Sequence, residues 1–165
     1  VSIYPVVVDA LLNRLGQRPA LRLVNLLGYQ PVRMEDLRTG SGARECIWVT
    51  GATGSEGLES MAAPNQLRFV ERLTIPVHVL AQGSARADDA ARTRRRCGEL
   101  VDEVKAVLAA QNAWPEDVTG FDPWDYWQVV PSGVTWINDR LESADGAYAA
   151  MERLDLAVEA RRTYL

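Results

Sequence analysis

Between Leu67 and Gln82 the chain alternates: Leu67, Phe69, Leu73, Ile75, Val77 and Val79 hold odd positions, while Arg68, Arg72, Thr74, His78 and Gln82 hold even ones. A period of two sorts these residues onto opposite faces of an extended strand, whereas a helix would scatter them around its axis. Burying the six apolar side chains together is worth on the order of 10 kcal/mol before entropy. A slip of one residue would expose all of them, so the register is firmly specified. Pro76 has no amide hydrogen, which predicts a strand that lies at a sheet edge or carries a bulge.

Other stretches read less sharply. Residues 3–15 predict a helix, with Pro5 in the first turn, Ile3, Val6, Val7, Ala10 and Leu11 on one side, and Gly16 as its stop. Residues 21–27 and 45–50 predict short strands. Residues 86–111 predict a long helix whose apolar stripe holds Ala90, Cys97, Leu100, Val101, Val104, Val107 and Leu108, with Asp88 and Asp89 favouring its start. Residues 134–142 alternate again, and 147–164 close the chain as a strand with Leu154, Leu156, Val158 and Ala160 set against Arg153, Asp155, Glu159 and Arg161. Two segments lack a period. Glycine and small residues predict an exposed loop at 51–65, and the proline-broken aromatic run at 112–128 predicts irregular structure. The sum is a single α+β domain over 1–165: an antiparallel sheet with an N-terminal helix and a long central helix packed on one face.

Charge and cysteine content narrow the chemistry. The net charge is -4 and only Lys105 among the eighteen basic residues is lysine, so no broad basic face for nucleic acid is expected. Cys46 and Cys97 form no CxxC pair and His78 stands alone, which leaves no zinc ligand set and predicts two free thiols. No apolar run approaches the ~18 residues of a membrane span, so no membrane contact is expected.

The motif most suggestive of chemistry is Val49-Thr50-Gly51-Ala52-Thr53-Gly54-Ser55-Glu56-Gly57. It looks like the glycine-rich phosphate loop of short-chain dehydrogenases, and an NAD(P)-dependent oxidoreductase is the alternative from a different class. Such a loop needs a helix opening directly behind it, so that the pyrophosphate meets the helix dipole. Pro64 follows too soon, no acidic residue closes a second strand, and no tyrosine stands four before Lys105. A flexible glycine loop fits better, and no cofactor is expected. The carboxylate pairs Asp88-Asp89 and Asp102-Glu103 read as solvated helix charge, and His78 has no nucleophile pattern around it, so no catalytic residue is assigned. Arg92 and Arg96 share a helix face that could meet phosphate, yet Asp88 and Glu99 stand at pairing distance from the arginine cluster. Trp114, Trp124 and Trp127 either cap the domain's own core or serve a partner, since tryptophan and arginine dominate interface centres. No basic residue lies between Trp114 and Trp127, which disfavours stacking on bases.

Four stretches together resemble the tail terminator (tail completion) proteins of siphophages. They are Ile3-Tyr4-Pro5-Val6-Val7-Val8-Asp9-Ala10-Leu11-Leu12, the strand Arg68–Val79, the amphipathic helix opening at Ala85-Arg86-Ala87, and the closing strand Ala147–Ala160. The resemblance lies in layout rather than in a diagnostic motif. It implies a non-enzymatic virion protein forming a homo-oligomeric ring of six copies at the tail-neck junction, assembled in the host cytoplasm. The ring would contact the major tail tube protein and the head-neck connector or stopper, with DNA only passing through its lumen. Another neck protein, a head-closure or connector subunit, is the nearest alternative. The expected assembly contacts are Gly51, Gly54, Gly57, Arg68, Arg72, Arg92, Arg96, Trp114, Trp124 and Trp127, with 51–65 mobile until it orders against the tube.

Overall fold

The computed structural model describes residues 2–40, 43–63, 66–83, 89–110, 126–137 and 148–164. Helix α1 (Tyr4–Gly16) opens the domain and is followed by a short 3-10 turn at Pro19–Leu21 and strand β1 (Asn25–Leu27). A second 3-10 turn, Met34–Asp36, leads to β2 (Thr39–Gly40), β3 (Ala43–Val49), β4 (Thr53–Ala63) and β5 (Gln66–Gln82). Helix α2 (Asp89–Ala109), β6 (Tyr126–Ile137) and β7 (Ala149–Tyr164) complete the described elements. Seven strands form one sheet in the order β1-β3-β5-β7-β6, with β2 added on β3 and β4 added on β5.

The α+β class holds, with one departure: β1 pairs parallel to β3, and every other described pair is antiparallel. The turn at Met34–Asp36 and strand β2 lie between β1 and β3, so the chain turns back before β3 begins. Asn25 fixes this corner. Its side-chain amide donates to the carbonyls of Arg38 (3.1 Å) and Glu45 (2.9 Å), and its oxygen accepts the amide of Arg38 (3.1 Å).

Both helices lie on one face. Val6, Val7, Leu11 and Leu15 of α1 and Cys97, Leu100, Val101, Val104 and Leu108 of α2 share a core with Ile47, Val49, Ile75, Val77, Val79, Leu154, Leu156 and Val158. The valine run of α1 costs a few tenths of a kcal/mol per residue in helix propensity. Burying each valine returns roughly 1.5 kcal/mol or more, so packing prevails. A smaller cluster of Leu37, Cys46, Trp48 and Leu80 occupies the opposite face.

The alternation of β5 and β7 is realised almost residue for residue. They pair without a register shift from Leu67↔Tyr164 to Gln82↔Ala149. Ile75, Val77 and Val79 are fully buried, Phe69 and Leu73 are half-buried, and Leu67 is 40% exposed, so the six odd positions do not bury equally. Glu71 also sits on that face and is buried.

The edge expectation for β5 is corrected. β5 is paired on both flanks, by β7 on one side and by β3 and then β4 on the other. Pro76 is tolerated because β3 pairing ends at Val77 and β4 pairing begins at Thr74. Its carbonyl accepts the amide of Thr50 at 3.2 Å, on the side of that break. In an antiparallel strand a residue's N–H and C=O point the same way. The missing hydrogen therefore faces the break, and no bond to β7 is lost.

The loop expected at 51–65 is corrected as well: Thr53–Ala63 is a strand paired to β5, with register shifts at Leu58/Ser60 and Met61/Ala63. β5 supplies a full row of backbone partners, and ladder bonding overrides the weak strand propensity of glycine and serine. Residues 126–128, expected to be irregular, belong to β6, while 112–125 lie outside the described residues. The same holds for 84–88, including Asp88, and for 138–147. No helix among the described residues is long and apolar enough to cross a membrane.

Candidate assembly surface

β5 spans seventeen residues, about 55 Å of strand, whereas the twenty-one residues of α2 cover about 31 Å. Just ahead of α1, Ser2 and Ile3 reach β5 at Glu71, whose carboxylate accepts the backbone amide of Ile3 at 2.9 Å and the hydroxyl of Ser2. Beyond Glu71 the strands β4, β5 and β7 run on without a helix bonded to them among the described residues. Two apolar side chains are exposed there, Leu58 at 56% and Leu67 at 40%. Arg162 of β7 bonds Glu56 of β4 at 2.7 Å across β5, on the same face as Phe69.

The helix-free face carries ion pairs along β7. Arg153 bonds Asp155 at 2.7 Å, and Glu159 receives Arg72 at 3.0 Å and Arg161 at 2.9 Å. Burial pushes the Glu159 carboxyl upward, but the two guanidiniums outweigh it and hold the carboxyl below its ordinary value. A shallow depression of about 390 Å³ lies here, lined by Thr53, Arg72, Thr74 and Glu159 among others. Nearer the smaller core, the rings of Trp48 and His78 stack at 5.0 Å and 10° between planes. Thr50 Oγ1 lies 3.3 Å from His78 Nε2. Burial lowers the His78 pKa, Arg153 lowers it further, and Asp155 partly opposes them.

The structure gathers some of the expected contact residues and separates others. Gly54, Gly57, Arg68 and Arg72 lie together on β4 and β5, with Gly54 opposite Leu73, Gly57 opposite Val70, and Arg68 opposite Ser60. Gly51 is exposed in the connection between β3 and β4. Gly54 is there for close approach: a Cβ would fall 2.1 Å from the Arg72 carbonyl oxygen, while at Gly51 and Gly57 it would meet nothing. Arg92 and Arg96 sit on α2, on the other side of the sheet. Arg92 is exposed and 3.7 Å from Asp89. Arg96 is an internal clamp, its Nε and Nη2 bonding the Glu45 carboxylate at 2.7 and 2.9 Å, with Nη1 reaching Glu99 at 3.2 Å. Trp127 pairs with Ala160 at the start of β6, and Trp114 and Trp124 lie outside the described residues.

Residues not among the expected contacts that the structure places in bonds include Glu71, Glu45, Glu56, Glu159 and Arg162. One signal was available: Glu71 is an acidic residue on the apolar parity of β5. Among the described residues no group of three His, Cys, Asp or Glu side chains could hold a metal.

No family profile matches the chain, and no curated protein does. A chain in the solved structure of the virion of a native gene transfer agent particle aligns with 99% of this chain and 98% of its own length. The two are 16% identical with a TM-score of 0.37. Likeness at that level leaves the functional reading to the chain's own sequence and geometry.

Proposed function

We propose that the chain is a structural subunit of a phage-type virion. In this reading six copies form a ring that closes the tail tube and joins it to the head-neck connector. The observation that carries it is the β4-β5-β7-β6 ribbon, whose β4-β5-β7 end runs on past Glu71 and carries exposed Leu58 and Leu67. Apolar side chains set on a projecting sheet gain burial from a second polypeptide. The layout resemblance to tail terminators supplies the identity of the assembly. Ion pairs on the helix-free face offset the charges of Arg72, Arg153 and Arg161. That balance favours DNA passing through a lumen over DNA held there, because phosphate binding draws on uncompensated cations.

The dinucleotide reading loses its physical basis. Thr53–Ala63, directly behind Gly51, is a strand, so no helix N-terminus faces the glycines. Negative-stain microscopy of the purified protein, alone and mixed with tail tubes, tests the proposal. Rings that seat on tube ends are expected. A monomer whose melting temperature rises with NAD(P) overturns it.

A further inference from the structure

We infer that neighbouring copies join by antiparallel pairing of β4 of one copy with β6 of the next. The inference deepens the ring reading and rests on it. Among the described residues β4 pairs only with β5, and β6 only with β7, so the ribbon has two open edges. Long edge strands are ordinarily blunted by lysine, proline or charge, because unpaired backbone groups recruit other chains. These two are not. β6 runs twelve residues, Tyr126–Ile137, without one charged side chain, and its single proline sits at the Pro131/Gly133 shift. β4 runs eleven residues with no lysine, arginine or proline; its charges are Glu59 and Glu56, the latter bonded by Arg162 at 2.7 Å. Its register shifts lie at Leu58/Ser60 and Met61/Ala63, which leaves Thr53–Leu58 as the regular stretch of the edge.

Direction selects a second copy as the occupant. β5 antiparallels β4 and β7, and β7 antiparallels β6, so β4 and β6 point opposite ways. When an identical ribbon is set alongside with the same strand direction, β4 meets the neighbour's β6 antiparallel. The contact is heterologous: each copy offers one edge and accepts at the other, which builds a ring when the rotation between copies closes, as the ring reading requires.

Backbone alternation identifies the amides involved. The Pro76 carbonyl points toward the β3/β4 flank, so the even residues of β5 do so too, and their β4 partners Thr53, Ser55 and Gly57 face inward. Gly54, Glu56 and Leu58 then turn their N–H groups outward, toward the neighbour. Gly57 has open space around a built Cβ, and Leu58 is 56% exposed, so Gly57→Lys with Leu58→Lys suits the lone subunit while blunting the edge.

The experiment is native mass spectrometry of wild type and G57K/L58K, with amide hydrogen exchange on wild type as ring and as dissociated subunit. A wild-type ring, a folded monomeric double variant with unchanged circular dichroism, and at least tenfold slower exchange at Gly54, Glu56 and Leu58 in the ring support the pairing. If the double variant unfolds, the wild-type exchange data alone decide. A ring that forms while those three amides exchange as in the free subunit overturns the edge pairing and leaves the ring reading standing. A wild type that stays monomeric overturns both.

Discussion

The carboxylate of Glu71 accepts the backbone amide of Ile3 at 2.9 Å, so a strand residue caps a helix from 68 positions beyond the residue that opens it. Ile3 offers no side-chain cap of its own, and the free amides at a helix start favour an anion. Glu71→Ala should therefore cost about 1–2 kcal/mol in chemical denaturation. Glu71→Gln, which keeps an acceptor but loses the charge, should cost less. Equal stability of Glu71→Ala and wild type would show the bond to be idle.

The glycines of the 51–57 motif should respond unequally. Gly54→Ala forces a Cβ against the Arg72 carbonyl and should destabilise by about 2 kcal/mol or more. Gly57→Ala meets open space and should stay within about 0.5 kcal/mol. Gly98, inside α2 with nothing near a built Cβ, should stabilise by about 0.5–1 kcal/mol on replacement by alanine. Thermal denaturation of the three variants separates these outcomes.

A buried carboxyl and a half-buried imidazole give stability opposite pH slopes. Burial raises the Glu152 carboxyl above its ordinary 4.5, opposed by Lys105 and assisted by Asp102. The folded form holds its proton longer than the unfolded one. Its stabilisation is complete below 4.5 and is lost as pH rises through the folded pKa. Glu152→Gln should remove that loss and be more stable than wild type at pH 7. His78 runs the other way: its lowered pKa gives stability present above 6.5 and lost as pH falls through the folded value. His78→Gln should flatten the acid side. Melting curves of both variants between pH 4 and 8 check the two signs.

Both thiols should be inert in the native protein. Cys46 and Cys97 are free and fully buried, on opposite faces of the sheet. Burial pushes each thiol pKa up to about 12, with Glu152 adding to the effect at Cys97, whose Sγ donates to the Val79 carbonyl at 3.6 Å. A thiol reagent at neutral pH should label neither cysteine until denaturant is added, and then both. Stoichiometric labelling of native protein would contradict this packing.

What the sequence revealed depends on where each signal arises. The alternation of β5 and β7 and the apolar stripe of α2 are local, because one face of each element meets a continuous core. Strand β4 was illegible because its glycines and serines describe a loop until β5 supplies a ladder. The pattern also marked Gly54 as a possible contact, although close approach to Arg72 explains the absence of a side chain there. Pro76 pointed to an edge because a lone strand cannot reveal that two shorter strands meet at the proline. Arg96 read as a surface cation because its partner, Glu45, lies 51 positions away on β3. Trp127 stands in a strand, yet the aromatic run before it gives no period from which to predict one.

Mass measurement of the intact, purified protein under native conditions tests the central claim most directly. The account predicts one closed species of six subunits, each of 18.3 kDa, in preference to an open ladder of sizes. A single 18.3 kDa species that persists at every concentration tested would contradict it.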